Sequence, residues 1–183
     1  MVVAVALTLA LAGGGCGGGK SAAPDNDDLP DTAETVPPST SSPVTTTEDA
    51  VREAYEAYVA MVNRITTTTV DPDDPELATR MVDPILSASR RNLTTWRTEG
   101  QVWVAGDVSR FDIEAVEIDG DTAYLTVCSV GNDALVPVGT DDVELPPVAA
   151  VRDKVTLIRH GEGWLVRNVD PLGTWEGDDE CGE

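Results

Sequence analysis

The apolar positions divide this chain into stretches of different period. Residues 2–12 form a nearly continuous run of Val, Ala and Leu. Residues 17–47 carry hardly an apolar side chain and consist mainly of Gly, Ser, Thr, Pro and Asp. Beyond them Ala50, Ala54, Ala57, Tyr58, Met61, Val62 and Ile65 recur at helical spacing. That spacing predicts an amphipathic helix over about 48–66. Thr47 is the expected cap, with Glu48 and Asp49 in the first turn, where the helix dipole favours negative charge. The β-branched run Thr66 to Thr69 is poor helix material, so the helix is expected to end there. Asp71-Pro72-Asp73-Asp74-Pro75 is a turn cluster. Leu77, Met81, Ile85, Leu86, Leu93 and Trp96 predict a second helical region over about 75–98, broken by Pro84 into two short helices.

From residue 101 the period falls to two. Phe111 and Ile113 share one parity, while Val116 and Ile118 share the other. A bulge near Glu114-Ala115 would bring both pairs to one face and curve the strand. Asp119-Gly120-Asp121 is a tight hairpin signal. The next strand is expected over about 121–130, with Ala123, Leu125 and Val127 alternating against Tyr124, Thr126 and Cys128. A short strand is expected at 134–138 and a long one at about 148–160. Gly161-Glu162-Gly163 then turns into a last strand at about 163–170, and a tail runs from Pro171. The pattern therefore predicts an α+β domain over 48–183. N-terminal helices pack on a curved antiparallel sheet of about four to five strands.

The apolar run at 2–12 is too short to span a membrane, which takes roughly 20 residues. It suits the core of an export signal, where small residues precede the cut. Gly13-Gly14-Gly15 then lead to Cys16. This is the pattern of a bacterial lipoprotein. Residues 1–15 would be removed, and Cys16 would become the acylated first residue, tied to the outer face of the cell membrane by its lipid. Two positions depart from the pattern: Gly13 stands where Leu is usual, and no Lys or Arg precedes the apolar run. A start codon further upstream would supply the missing charge. The alternative is a secretory signal cut near Gly15, with Cys16 incidental. Residues 16–47 cannot bury enough surface to offset ordering entropy, so they are expected to be a disordered tether. About 30 such residues reach roughly 30 Å, which holds a domain clear of the membrane.

Composition narrows the partners. Asp and Glu number 33 against 12 Lys and Arg, for a net charge of −21. That charge keeps the protein soluble and excludes nucleic acid as a partner. With Cys16 acylated, Cys128 and Cys181 remain as a pair in a compartment where disulfides persist. Their bridge would close a loop of about 54 residues, worth roughly 4 kcal/mol in the loop-entropy picture. The alternative is two free thiols, one buried in a strand and one in the tail. No metal or other cofactor is expected. Two distant cysteines and a single histidine do not make a tetrahedral set.

Particular residues carry a resemblance. They are Tyr55 and Tyr58 on the first helix, the segment Val116-Glu-Ile-Asp-Gly-Asp-Thr-Ala123, mid-strand Cys128, Gly163-Trp164-Leu165-Val166, and Cys181 near the end. Over about 48–183 the chain resembles the nuclear transport factor two-like (SnoaL-like) superfamily. Within it, the chain is similar to small secreted or lipid-anchored actinobacterial proteins. The resemblance implies a sheet wrapped around a cone-shaped cavity that the helices close. Some members of that superfamily are cyclases, isomerases or epoxide hydrolases, and many have no known activity, so fold alone does not choose a chemistry.

Few side chains compete for a role. His160 is the only histidine, and it stands at the mouth of a turn beside Gly161, where side chains are usually solvated. Asp112 and Glu114 lie on the bulged strand, where a kink can aim a carboxylate into a cone. Their apolar neighbours point them to solvent instead. Asp71, Asp73, Asp74 and Glu76 lack the glycine turn and distal Glu of a calcium loop and read as a solvated acidic loop. Trp96 and Trp103 bracket the helix-to-sheet junction, where a cone opens, and with Asp112 they are the candidate cavity residues. Packing is the alternative for both tryptophans, as it is for Trp164 and Trp175. The expected function is a lipid-anchored, non-enzymatic domain that binds a protein partner or a small apolar ligand. A cavity enzyme using a buried carboxylate is the alternative. A dry cavity with convergent polar groups would favour the ligand, and a filled cone the protein partner.

Overall fold

Thr46 opens the first helix. Its hydroxyl accepts the Asp49 amide at 3.1 Å, and the Asp49 carboxylate accepts the Thr46 amide at 3.1 Å. This reciprocal capping box places the cap of α1 (Thr47–Arg64) at Thr46, one residue before the expected cap. The carboxylate needed three positions on follows Thr46, whereas Thr47 meets Ala50 at that spacing. The structure, a computed structural model, describes residues 46–178 and Cys181. The apolar leader, Cys16 and the expected tether lie outside the described residues.

The threonine run does not stop the helix as expected. Ile65–Thr69 continues it as a π-helical turn, which ends at Val70 in the left-handed region with φ 44°. The hydroxyls of Thr66, Thr67 and Thr68 donate back to the carbonyls of Val62, Asn63 and Arg64. They occupy acceptors that the wider turn leaves poorly used. The expected break at Pro84 is present. It separates α2 (Leu77–Arg80) from α3 (Ile85–Glu99), and Gly100 closes α3 with φ 65°.

Six strands follow: β1 (Gln101–Val104), β2 (Ser109–Asp119), β3 (Thr122–Gly131), β4 (Ala134–Pro137), β5 (Ala149–His160) and β6 (Gly163–Glu176). β1 pairs with β4, and the other four form an antiparallel sheet in the order β2-β3-β5-β6. The expected bulge lies in β2. Ile113 faces Val127 and Ala115 faces Thr126, leaving Glu114 unpaired. Ile113 and Val116 consequently both pack against the core beneath α1. β6 is longer than expected and continues past Pro171 to Glu176. An edge strand tolerates a proline, and the register shift between Arg152 and Asp153 accommodates Leu172.

The main core joins Val51 and Tyr55 of α1 to Ala123, Leu125, Val127, Val155, Leu157, Trp164 and Val166 of the sheet. A second cluster joins the end of α1 to α2 and α3 through Met61, Ile65, Leu77, Met81 and Leu93. On the other face of the sheet, Cys128 and Cys181 lie at disulfide distance, with Cα atoms 5.3 Å apart, and pack with Val130 and Ala150. The free-thiol alternative falls with that pairing. Among the described residues no helix is long and apolar enough to cross a membrane.

Candidate functional site

A void of about 80 Å³ lies between α1 and α3, lined among others by Tyr58, Ile65, Met81, Leu93 and Trp96. A cavity that holds benzene measures about 150 Å³, so this void is too small for a ligand of that size. Trp96 thus borders a void, but Trp103 packs edge-to-face on it, with ring centroids 5.8 Å apart, and is absent from the lining. Asp112 is exposed on β2 and borders neither the void nor the groove described below. The three candidate cavity residues do not converge.

The remaining candidates also find structural settings. Glu114 is exposed, and its two carboxylate oxygens accept Arg152 Nη2 and Nε at 2.7 and 2.8 Å. The bulge turns Glu114 toward Arg152, not into the core. Trp164 is 5% exposed in the main core. Trp175 lies beneath the Arg152 guanidinium, 5.5 Å from the ring centroid. In the acidic loop, Asp71 accepts Arg97 at 3.2 Å, while Asp74 and Glu76 accept Arg64 at 3.1 and 2.7 Å. The Asp74 carboxyl is held below its ordinary range, chiefly by the Glu76 amide and then by Arg64. Among the described residues no three His, Cys, Asp or Glu side chains converge as a metal site.

One half-buried carboxyl was missed in the sequence. Asp153 shares the parity of Val155 and Leu157, which face the core. Burial, then the charge of Asp170, pushes its carboxyl up to about 6. Burial, and then Asp153, in turn pushes the Tyr58 hydroxyl up to about 12. Tyr55 is raised as well, first by burial and then by Tyr58 and Asp153. The signal was available, because an Asp at an inward position of an alternating strand is out of place. Asp153 lines neither the void nor the groove described below.

A second concavity opens outward. It is a groove of about 600 Å³ between α1, α2 and the β5–β6 turn. Ala50, Ala54 and Ala57 form its α1 wall at i, i+4 and i+7, and Ala78 lies on α2. Trp164 and Leu165 contribute from β6. Arg80, His160, Glu53 and Glu162 supply its polar groups. His160 is exposed at the end of β5, as the turn predicted, but it borders this groove. The groove thus combines small apolar walls with a histidine, an arginine and two glutamates at its margins.

No family model matches this sequence, and no curated protein matches it significantly. Among solved structures, the fold is similar to the intermembrane-space region of the chloroplast protein ARC6, with a TM-score of 0.52. The match covers 66% of this chain and 95% of that one at 13% identity. A likeness at that identity concerns the fold alone.

Proposed function

We propose that this protein is a non-enzymatic docking domain, anchored through Cys16 to the extracytoplasmic face of the membrane, that binds a partner protein in the groove beside α1. One observation carries the reading: an open groove of about 600 Å³ beside α1 is walled by small residues, whereas the recess at Trp96 measures only about 80 Å³. The resemblance to lipid-anchored SnoaL-like proteins supports the location, as does the cysteine arithmetic. Two carboxylates considered for a cavity enzyme, Asp112 and Glu114, are exposed, which favours docking over catalysis.

A photo-crosslinking residue in place of Thr79, in the full chain on native membranes, tests the groove. A defined protein adduct is expected, identified by mass spectrometry and lost when Ala57→Arg fills the groove. Capture unaffected by Ala57→Arg would refute the groove, and capture of small molecules alone would refute a protein partner. The anchor is tested separately. Cys16→Ser should move the protein from the membrane to the soluble fraction, and the mature chain should carry acyl mass on Cys16. An unmodified Cys16 would leave plain secretion.

A further inference from the structure

The four-stranded sheet has two edges, and only one of them is protected. At β6, Met81 bridges to Val166, and the Val82 amide donates to the Val166 carbonyl at 3.0 Å. β6 also carries Pro171 and two register shifts against β5. A covering segment, a proline and bulges are the devices that keep an edge from pairing. At β2 no described element pairs with the side away from β3. Alternate amides and carbonyls along that side therefore face outward. β2 contains neither lysine nor proline. Its single bulge interrupts the edge at Ile113, whose carbonyl accepts Arg52 Nη1 at 3.2 Å.

The side chains of β2 are also unfinished. On the face toward α1, Phe111 and Ile118 are 37% and 39% exposed, although Phe111 meets the Tyr55 ring edge-to-face. A strand laid beside β2 would cover both. The opposite face carries Asp112, Glu114, Glu117 and Asp119 against Arg110 alone. Glu114 is held by Arg152 and Arg110 by Asp178, while Lys154 sits over the Tyr124 ring. Among the described residues Asp112, Glu117 and Asp119 form no ion pair.

That charge selects the occupant. A second copy would bring the same acids and a net charge of −21. The chain's own residues 16–45 carry Asp25, Asp27, Asp28, Asp31 and Glu34 against Lys20. Like charges across a strand pair destabilise it, and opposite charges support it. We propose that β2 adds an extended segment of a partner protein in which apolar residues alternate with lysine or arginine. The apolar side covers Phe111 and Ile118, and the basic side faces Asp112, Glu117 and Asp119. This interface goes beyond the groove, whose lining includes no residue of β2.

The test is NMR titration and amide hydrogen exchange of the full chain with acetyl-Thr-Lys-Val-Lys-Val-Lys-Val-amide. The β2 amides that face away from β3 should slow in exchange, and the Phe111 and Ile118 signals should shift. Asp112→Asn with Glu117→Gln should raise the saturating concentration on the order of fivefold. The same peptide N-methylated at every amide keeps its charge but loses its donors, and it should leave exchange unchanged. Slowed exchange with that peptide as well would reduce the effect to charge and overturn strand addition. Equal saturation by a peptide with Glu in place of Lys would overturn the basic partner, and β2 signals that move with neither would overturn the site. Ala57→Arg should not alter the β2 response. Its loss in that variant would place the peptide in the groove and overturn the β2 interface alone. β2 amides already slow without peptide would mean that the edge is occupied, by a second copy if sedimentation finds a dimer and by the chain's own N-terminal segment if it finds a monomer. Either result overturns the partner inference.

Discussion

At the residue scale, Asp153 has the most direct consequence for stability. Its carboxyl titrates near 6 in the fold, against about 3.9 for an exposed Asp. The folded state therefore holds its proton more tightly than the unfolded state does. Below about pH 4 both states are protonated and Asp153 costs nothing. Between about pH 4 and pH 6 the unfolded chain ionises first, and stability falls. Above pH 6 the cost is constant. Asp153→Asn should raise the thermal midpoint at pH 7.5 and leave it unchanged at pH 3.5. A parallel pair of stability-versus-pH curves for the two proteins would contradict this. Residue type alone did not reveal the setting. Asp153 stands between Arg152 and Lys154, which suggests a solvated triplet, and only the parity of Val155 and Leu157 argues otherwise. Asp112 had two settings open to it near the bulge, and it takes the solvent-exposed one that its apolar neighbours indicated.

At the scale of elements, local signals were legible wherever one segment decided them. The parity switch from Ile113 to Val116 marked the β2 bulge, and Pro84 marked the break between α2 and α3. The cap of α1 was misplaced by one residue because Thr46 and Thr47 both fit the preference and only Thr46 has Asp49 three residues on. Thr46→Ala should therefore lower stability by about 1 kcal/mol in urea unfolding, and Thr47→Ala by much less. The π turn was not legible. Threonines disfavour a helix by side-chain crowding, but their hydroxyls found carbonyls one turn back. The far half of β6 was hidden for a different reason. Pro171 and Gly173 read as loop, and only pairing with β5 across the edge of the sheet makes them strand.

At the scale of the whole molecule, the disulfide ties the chain end near Cys181 to the outer face of β3, 53 residues away in sequence. Cys181→Ser should lower stability by roughly 4 kcal/mol in guanidinium unfolding under oxidising conditions, and reduction of the parent protein should do the same. A change below about 1 kcal/mol in both would mean that the bridge does little in the folded domain. The groove belongs to this scale too. Its residues come from 50–57, 78–80 and 160–165, segments whose proximity is created only when α1 and α2 settle beside the β5–β6 turn. The sequence by itself indicated helices before strands, the bulge, and Cys128 and Cys181 as a candidate pair. Periodicity and cysteine counting need no knowledge of distant neighbours. Tertiary structure alone decided that Asp153 would be half-buried beside Asp170 and the α1 tyrosines, and that α1, α2 and the β5–β6 turn would enclose a groove. Each of these depends on side-chain volume and charge brought together across the chain, and no local pattern encodes that sum.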